Sequence, residues 1–321
     1  MRGAELVTVV VPCFKQEAYL AEAIESVLAQ TYRPFEIVVV DDGSDNVEGV
    51  TAAYPDVRVV RQDNRGLGAA RATGSRVANG QFVVFLDADD RLLPNAVHIN
   101  AAHLRLDPLL GLVAGLTTLI TDDGRPLPTL HRPRPATDHY LNLLKCNITT
   151  GIHAVMFRRA AIEDVGGFDT TRRLAGVEDY DLYLRIARRH RILYHGNILG
   201  EYRQHDASMS RNYALMMRSA TRLLREHAAA GTTGDVADAA RTGIAVFKDY
   251  YTDLMIKRVR HSFRNRDVRA LSTDVKDMVA LHPVGLAKLV SKRLYRRLAQ
   301  IPGHVVEISG TDSDGLHQGP L

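Results

Sequence analysis

The chain has 321 residues, 45% of them hydrophobic and 24% charged, with a formal net charge of +4. These ordinary globular proportions exclude a fibrous or wholly disordered chain and suit one large domain with an appendage. No run approaches the roughly 20 apolar residues that cross a bilayer, no opening segment has the form of a secretory signal, and Cys13 and Cys146 lie at no zinc-ligand spacing, so a reducing, cytoplasmic compartment is expected.

Leu6 to Val11 is apolar or β-branched throughout and predicts a strand that stops at Pro12. Leu20, Ile24, Val27 and Leu28 recur at helical spacing, which predicts an amphipathic helix over 17–30. Phe35 to Val40 predicts a second buried strand, running into Asp41-Asp42-Gly43-Ser44, a sequence that also makes a good turn. After a short third strand at 57–60, Gly66 and Gly68 open a helix to about Val77. The third glycine of a dinucleotide fingerprint would fall at Arg71, so that cofactor reading is rejected.

Phe82 to Leu86 predicts a strand buried on both faces, and it delivers Asp87, Asp89 and Asp90 at its carboxyl end. Three acids there are stable only beside a cation or a hydroxyl-rich ligand. The order β-α-β-α-β argues for an α/β fold with a mostly parallel sheet flanked by helices, in which ligands bind beyond the strand carboxyl ends. Both acidic clusters occupy such ends.

Further on, a helix is expected over 96–104, a strand over 112–120 interrupted at Gly115, a long surface loop over 121–138, a strand over 152–157 and a short helix over 159–165 closed by Gly166 and Gly167. Glu178, Asp179 and Asp181 open a helix to about Arg189; acids suit a first turn, but three exceed what a cap needs. Short strands are expected at 192–194 and 199–202. The texture then turns helical, over 214–230, 236–264, 268–281 and 284–298, with a basic polar face that includes Lys257, Arg258, Arg260, Lys288 and Arg293. The expected division is a domain over 1–212, a basic helical region over 213–300 and a disordered tail over 301–321.

Six motifs in order carry a resemblance. Val9-Val10-Val11-Pro12-Cys13-Phe14, Val38-Val39-Val40-Asp41-Asp42-Gly43-Ser44, Asn64-Arg65-Gly66-Leu67-Gly68-Ala69-Ala70-Arg71, Phe85-Leu86-Asp87-Ala88-Asp89-Asp90, Gly166-Gly167-Phe168-Asp169 and Glu178-Asp179-Tyr180-Asp181-Leu182 together resemble family 2 glycosyltransferases of the GT-A fold, over residues 6 to about 210. The resemblance implies an inverting transfer from a nucleoside-diphosphate sugar, most often UDP-linked, to an acceptor such as a saccharide or lipid-linked saccharide. By it, Asp42 with Asp41 holds the nucleobase, Pro12 and Phe14 line the nucleotide edge, and Asp87 with Ala88 meets the ribose. Asp89, Asp90 and His205 are the implied ligands of Mg2+ or Mn2+. Asp179 is the implied general base with Glu178 beside it, and a helix amino terminus is expected to lower its pKa. Arg71 and Arg203 are candidates for phosphate or for a structural role.

The basic helices have two readings, a solvated face or a contact with an anionic membrane surface at the inner face of the cell membrane. Nucleic acid is a poor partner, since the chain has no tryptophan and no regular aromatic interleaving of its basic residues. The rival readings are a nucleotidyltransferase of related fold, which would carry a Gly-rich basic loop after the first strand, and a non-catalytic sugar-nucleotide-binding protein.

Overall fold

The computed structural model describes residues 5–129, 138–149, 151–171, 174–205, 208–231 and 233–264, together with Lys276 and Val279. The expected helices at 268–281 and 284–298 fall almost wholly outside the described residues, as do the expected tail and part of the 121–138 loop. The chain forms two compact units, one up to Met209 and one from Ser210.

In the first unit, β1 (Val7–Cys13) is buried at every position, and it lies between β2 (Phe35–Asp41) and β4 (Phe82–Phe85), parallel to both. β3 (Val57–Arg61) extends this parallel half, in the order β3-β2-β1-β4. Pro12 does not end β1. Val10 O accepts from Leu86 N on the β4 side, and Pro12, of the same parity, directs its missing donor past the last residue of β4, where no ladder bond is lost.

Beyond β4 the sheet is mixed. β8 (Val155–Arg158) runs antiparallel to β4 and to β6 (Leu110–Thr121), while β9 (Arg191–Gln204) runs parallel to β6. The two short strands expected at 192–194 and 199–202 are thus one, because register shifts near Ala114 and Leu116 let β9 pass the His195-Gly196-Asn197 segment without losing its partner. Residues 152–154 form a 3-10 turn ahead of β8. Short strands β5 (Arg91–Leu92) and β7 (Pro126–Leu127) pair with β9 and β6.

Helices α1 (Glu17–Leu28), α3 (Leu67–Val77), α4 (Ala96–Leu106) and α7 (Glu178–Arg189) bury one face each, and the short α2 (Val47–Thr51), α5 (His139–Lys145) and α6 (Arg159–Asp164) complete the unit. Packing of α3 on the sheet depends on Gly74: a Cβ there would stand 2.1 Å from Val10 Cγ1. The α/β fold is therefore the expected one, with the ends of β1, β2 and β4 at a common edge.

In the second unit, α8 (Tyr213–Ala229) and α9 (Gly234–Arg264) pack on each other through Met217, Leu223, Leu224, Phe247 and Met255, and Asn212 caps α8 by accepting from Leu215 N. Among the described residues no helix is long and apolar enough to cross a membrane.

Candidate active site

At the end of β2, Asp41 and Asp42 are both buried but face different partners. Asp41 Oδ1 accepts from Ser44 N at 2.7 Å, and its Oδ2 lies 3.7 Å from Arg61 Nε, so this carboxylate closes the turn. Asp42 accepts from Gln62 Nε2 at 2.7 Å, Arg65 N at 2.9 Å and Gly66 N at 2.9 Å. Gly66 reaches that carboxylate with φ +87°, a conformation that favours glycine. Asp42 thereby joins the end of β2 to the start of α3. Pro12 is buried in β1, whereas Phe14 is 40% exposed at the strand's end, under the Lys15 ammonium.

The centre of the site is a buried guanidinium. α3 turns Ala70, Arg71 and Gly74 toward the interior, and Arg71 Nη2 donates to both oxygens of Asp87, at 2.6 and 2.9 Å, while Nη1 donates to Glu178 Oε1 at 2.8 Å. Arg71 was a candidate for phosphate; its two terminal nitrogens are instead engaged by carboxylates. An arginine on the buried face of a helix was the available sequence signal, since that charge almost never goes unpaired.

The guanidinium bonds two carboxylates and lies near a third, Asp179, whose charge it also favours. Burial pushes Glu178 up to about 7, against the pull of Arg71 and with Asp179 adding repulsion. Asp179 is also raised: burial disfavours its charge more than Arg71 and the Tyr180 N–H favour it. The expected lowering by the helix amino terminus is overturned, because desolvation and nearby acids outweigh a terminal dipole. Asp181, the third acid, is fully buried and pairs with Arg185 at 2.7 Å, so it belongs to the helix packing.

The other two acids after β4 diverge. Asp90 is buried, accepts from Arg203 N at 2.8 Å and lies 3.0 Å from His153 Nδ1. Desolvation pushes it up to about 6, with His153 opposing. Asp90, expected among the metal ligands, stands buried here with one oxygen on Arg203 N and the other beside His153. Ala88, between Asp87 and Asp89 in the chain, is buried.

Asp89 faces the other way, toward His205 Nε2 at 2.8 Å and Gln16 Nε2 at 2.8 Å. Burial and the neighbouring Asp87 raise its pKa, and His205 offsets part of this. His205 stacks on Tyr19, with ring centroids 5.6 Å apart. Arg203 lies over the same Tyr19 ring, donates to the carbonyls of Asp89 at 2.7 Å and Asp122 at 2.5 Å, and pairs with Glu22. Arg203 is thus a brace for this loop rather than a phosphate ligand. Gln16, Tyr19, Glu22 and His153 carried no sequence signal, since each acts through partners distant in the chain.

Among the described residues no three His, Cys, Asp or Glu side chains converge as a metal cage. Asp89 Oδ2 and His205 Nε2 nevertheless form a carboxylate–imidazole pair suited to a cation that takes its remaining ligands from phosphate and water. The donor set fits a shared site and not an all-protein one.

Residues 8–166 match the family model described as glycosyl transferase family 2. An uncharacterised glycosyltransferase from Rickettsia bellii is 30% identical over 215 residues, covering 64% of this chain and 31% of that protein. The chain thus spans about a third of the length of such relatives. A mannosyltransferase from Pyrobaculum calidifontis, solved with GDP-Man and Mn2+, superposes with a TM-score of 0.60 at 20% identity, over 93% of this chain and 82% of that one. TarS 1-349 from S. aureus, solved with UDP-GlcNAc, does so with a TM-score of 0.56 at 16% identity, over 84% and 90%. At these identities the likeness to both solved structures is one of fold, and it is the GT-A fold. The match over residues 8–166, the glycosyltransferase relatives and the likeness of fold together support a glycosyl transferase family 2 protein.

Proposed function

We propose that this chain moves a sugar from a nucleoside-diphosphate sugar, UDP-linked, to the hydroxyl of a saccharide or lipid-linked saccharide acceptor, as in cell-envelope or polysaccharide synthesis. The observation that carries the reading is Arg71. It ties Asp87, at the end of β4, to Glu178, at the start of α7, so that the donor and acceptor acids form one site.

In this reading the acceptor oxygen attacks the anomeric carbon as the bond from that carbon to the diphosphate oxygen breaks. The nucleoside diphosphate leaves with the bonding electrons, the acceptor proton passes to a carboxylate oxygen of Asp179, and the anomeric centre inverts. The raised pKa of Asp179 makes it a better proton acceptor than an ordinary carboxylate, provided it is ionised. Asp42 and the exposed Phe14 stand at the nucleobase side, and Asp87, held by Arg71, meets the ribose. Asp89 and His205 would hold Mg2+ or Mn2+, which supplies positive charge at the diphosphate when bound. Tyr19 and Arg203 keep that pair in place.

Asp179→Asn is the test. Transfer falls by about 10²–10⁴, the usual weight of a positioned general base, while UDP-sugar binding, measured by calorimetry, stays within twofold. Transfer at the wild-type rate would overturn the assignment of the base. The basic carboxy-terminal region is proposed to meet an anionic membrane surface, supported by its Lys and Arg content.

A further inference from the structure

Gln16 breaks a local rule. It stands at the amino-terminal cap of α1, where Ser, Thr, Asp or Asn would accept a backbone hydrogen bond, yet its side chain caps nothing. Lys15 before it adopts φ 54°, a left-handed conformation that a lysine rarely takes. The amide is spent elsewhere, donating from Nε2 to Asp89 Oδ2, 73 residues away. That same oxygen lies 2.8 Å from His205 Nε2. Two nitrogens therefore converge on one oxygen of the half-buried Asp89 carboxylate.

With two nitrogens already on Oδ2, a metal ion at that oxygen shares it with them or displaces one, so both nitrogens bear on how the ion is held. His205 can turn from donor to ligand by moving its proton to Nδ1. The amide of Gln16 has an equivalent option: rotation by a half-turn replaces its N–H donor with the carbonyl oxygen Oε1, a hard donor of the kind Mg2+ and Mn2+ accept directly or through a bound water. Resting on the metal reading above, we propose that Gln16 is a third contributor to the cation site. It locks Asp89 when the cation is absent and presents Oε1 when the cation arrives. The departure from good capping is then a local cost retained for the site.

The experiment is titration of MnCl2 into the full chain, alone and with UDP or GDP, read by calorimetry and by the rise in melting temperature. Gln16→Leu removes both amide atoms, and Gln16→Glu leaves only oxygens. Mn2+ affinity falls about tenfold in Gln16→Leu, the usual scale for groups that support a metal site, and rises in Gln16→Glu, whose melting temperature gains more from Mn2+ than the wild type's. Unchanged or tighter binding in Gln16→Leu would mean that the amide only restrains Asp89, and would overturn the proposal. Asp89→Asn separates the two readings: if it binds Mn2+ like the wild type, or if the wild type binds none under either condition, the metal reading itself fails and the Gln16 proposal falls with it.

Discussion

Replacing Arg71 with Met keeps most of the side-chain volume and removes a guanidinium that Asp87 and Glu178 share and that lies near Asp179. Arg71 is only 2% exposed and its contacts are 2.6 to 2.9 Å long, so solvent cannot replace what is lost. Removing one partner of a buried ionic cluster costs about 3–5 kcal/mol, which for a domain of this size lowers the melting temperature by roughly 10 °C. The loss depends on pH, and its sign is fixed. Arg71 lowers the pKa values of Glu178 and Asp179, both already above their ordinary range through burial. Without it, both rise further in the folded protein. A raised folded pKa contributes stability that is fully present below the unfolded value and is lost as pH rises through the folded one. For Glu178 both proteins lose this stability alike from the ordinary 4.5 up to about 7, and they part above it, where the group ionises in the wild type first. Thermal melts of both proteins across this range should show a deficit that is small at pH 5 and largest at pH 8. An equal deficit at both ends would refute the account of Arg71 as a shared counter-charge.

The remaining predictions test neighbouring parts of the same cluster. Glu178→Gln preserves an acceptor for Arg71 and removes a charge that burial already disfavours, so its melting temperature at pH 8 equals or exceeds that of the wild type; a drop as large as that of Arg71→Met would contradict the raised pKa. Asp90→Asn weakens the contacts to Arg203 N and His153 and lowers stability by about 1–3 kcal/mol, yet Mn2+ affinity by calorimetry stays near wild type; loss of Mn2+ binding in a folded Asp90→Asn protein would restore Asp90 as a ligand. If the basic helices meet a membrane, the full chain co-sediments with vesicles containing anionic lipid at low salt and is released at high salt; no salt-sensitive binding would leave them a solvated face.

What the sequence revealed was set by the range of the physics involved. Buried strands announce themselves through continuous apolar runs, so β1, β2 and β4 and the acids at their ends were legible from neighbouring residues alone. The limits of β1 were not, because whether a proline stops a strand depends on which neighbour its missing donor faces, and that is a property of the sheet. β9 was read as two strands for the same reason, since its own extra residues bulge out opposite Ala114 to Thr117 and only the partner β6 shows that pairing resumes beyond them. Asp89 and Asp90 are adjacent and chemically identical, yet one faces Gln16 and His205 and the other Arg203 and His153. Only tertiary structure separates them.

The same distinction governs the charges. A helix amino terminus is local, and from it Asp179 should hold its charge readily; desolvation and the acids brought up by β4 are not local, and they win. Four carboxyls near the ends of β4 and α7, those of Asp89, Asp90, Glu178 and Asp179, have their pKa values raised, each first of all by burial. Arg71 is committed to Asp87 and Glu178, and Arg203 to the Asp89 and Asp122 carbonyls and Glu22. Two arginines with the charge to meet a diphosphate are therefore already engaged in holding acids and loops. For the diphosphate donor proposed above, two guanidinium groups at this edge are already taken, which supports the reading that a cation accompanies it. Asp89, raised by burial and by Asp87 and facing nitrogens that can reorient, is the place where that charge would relieve the most repulsion.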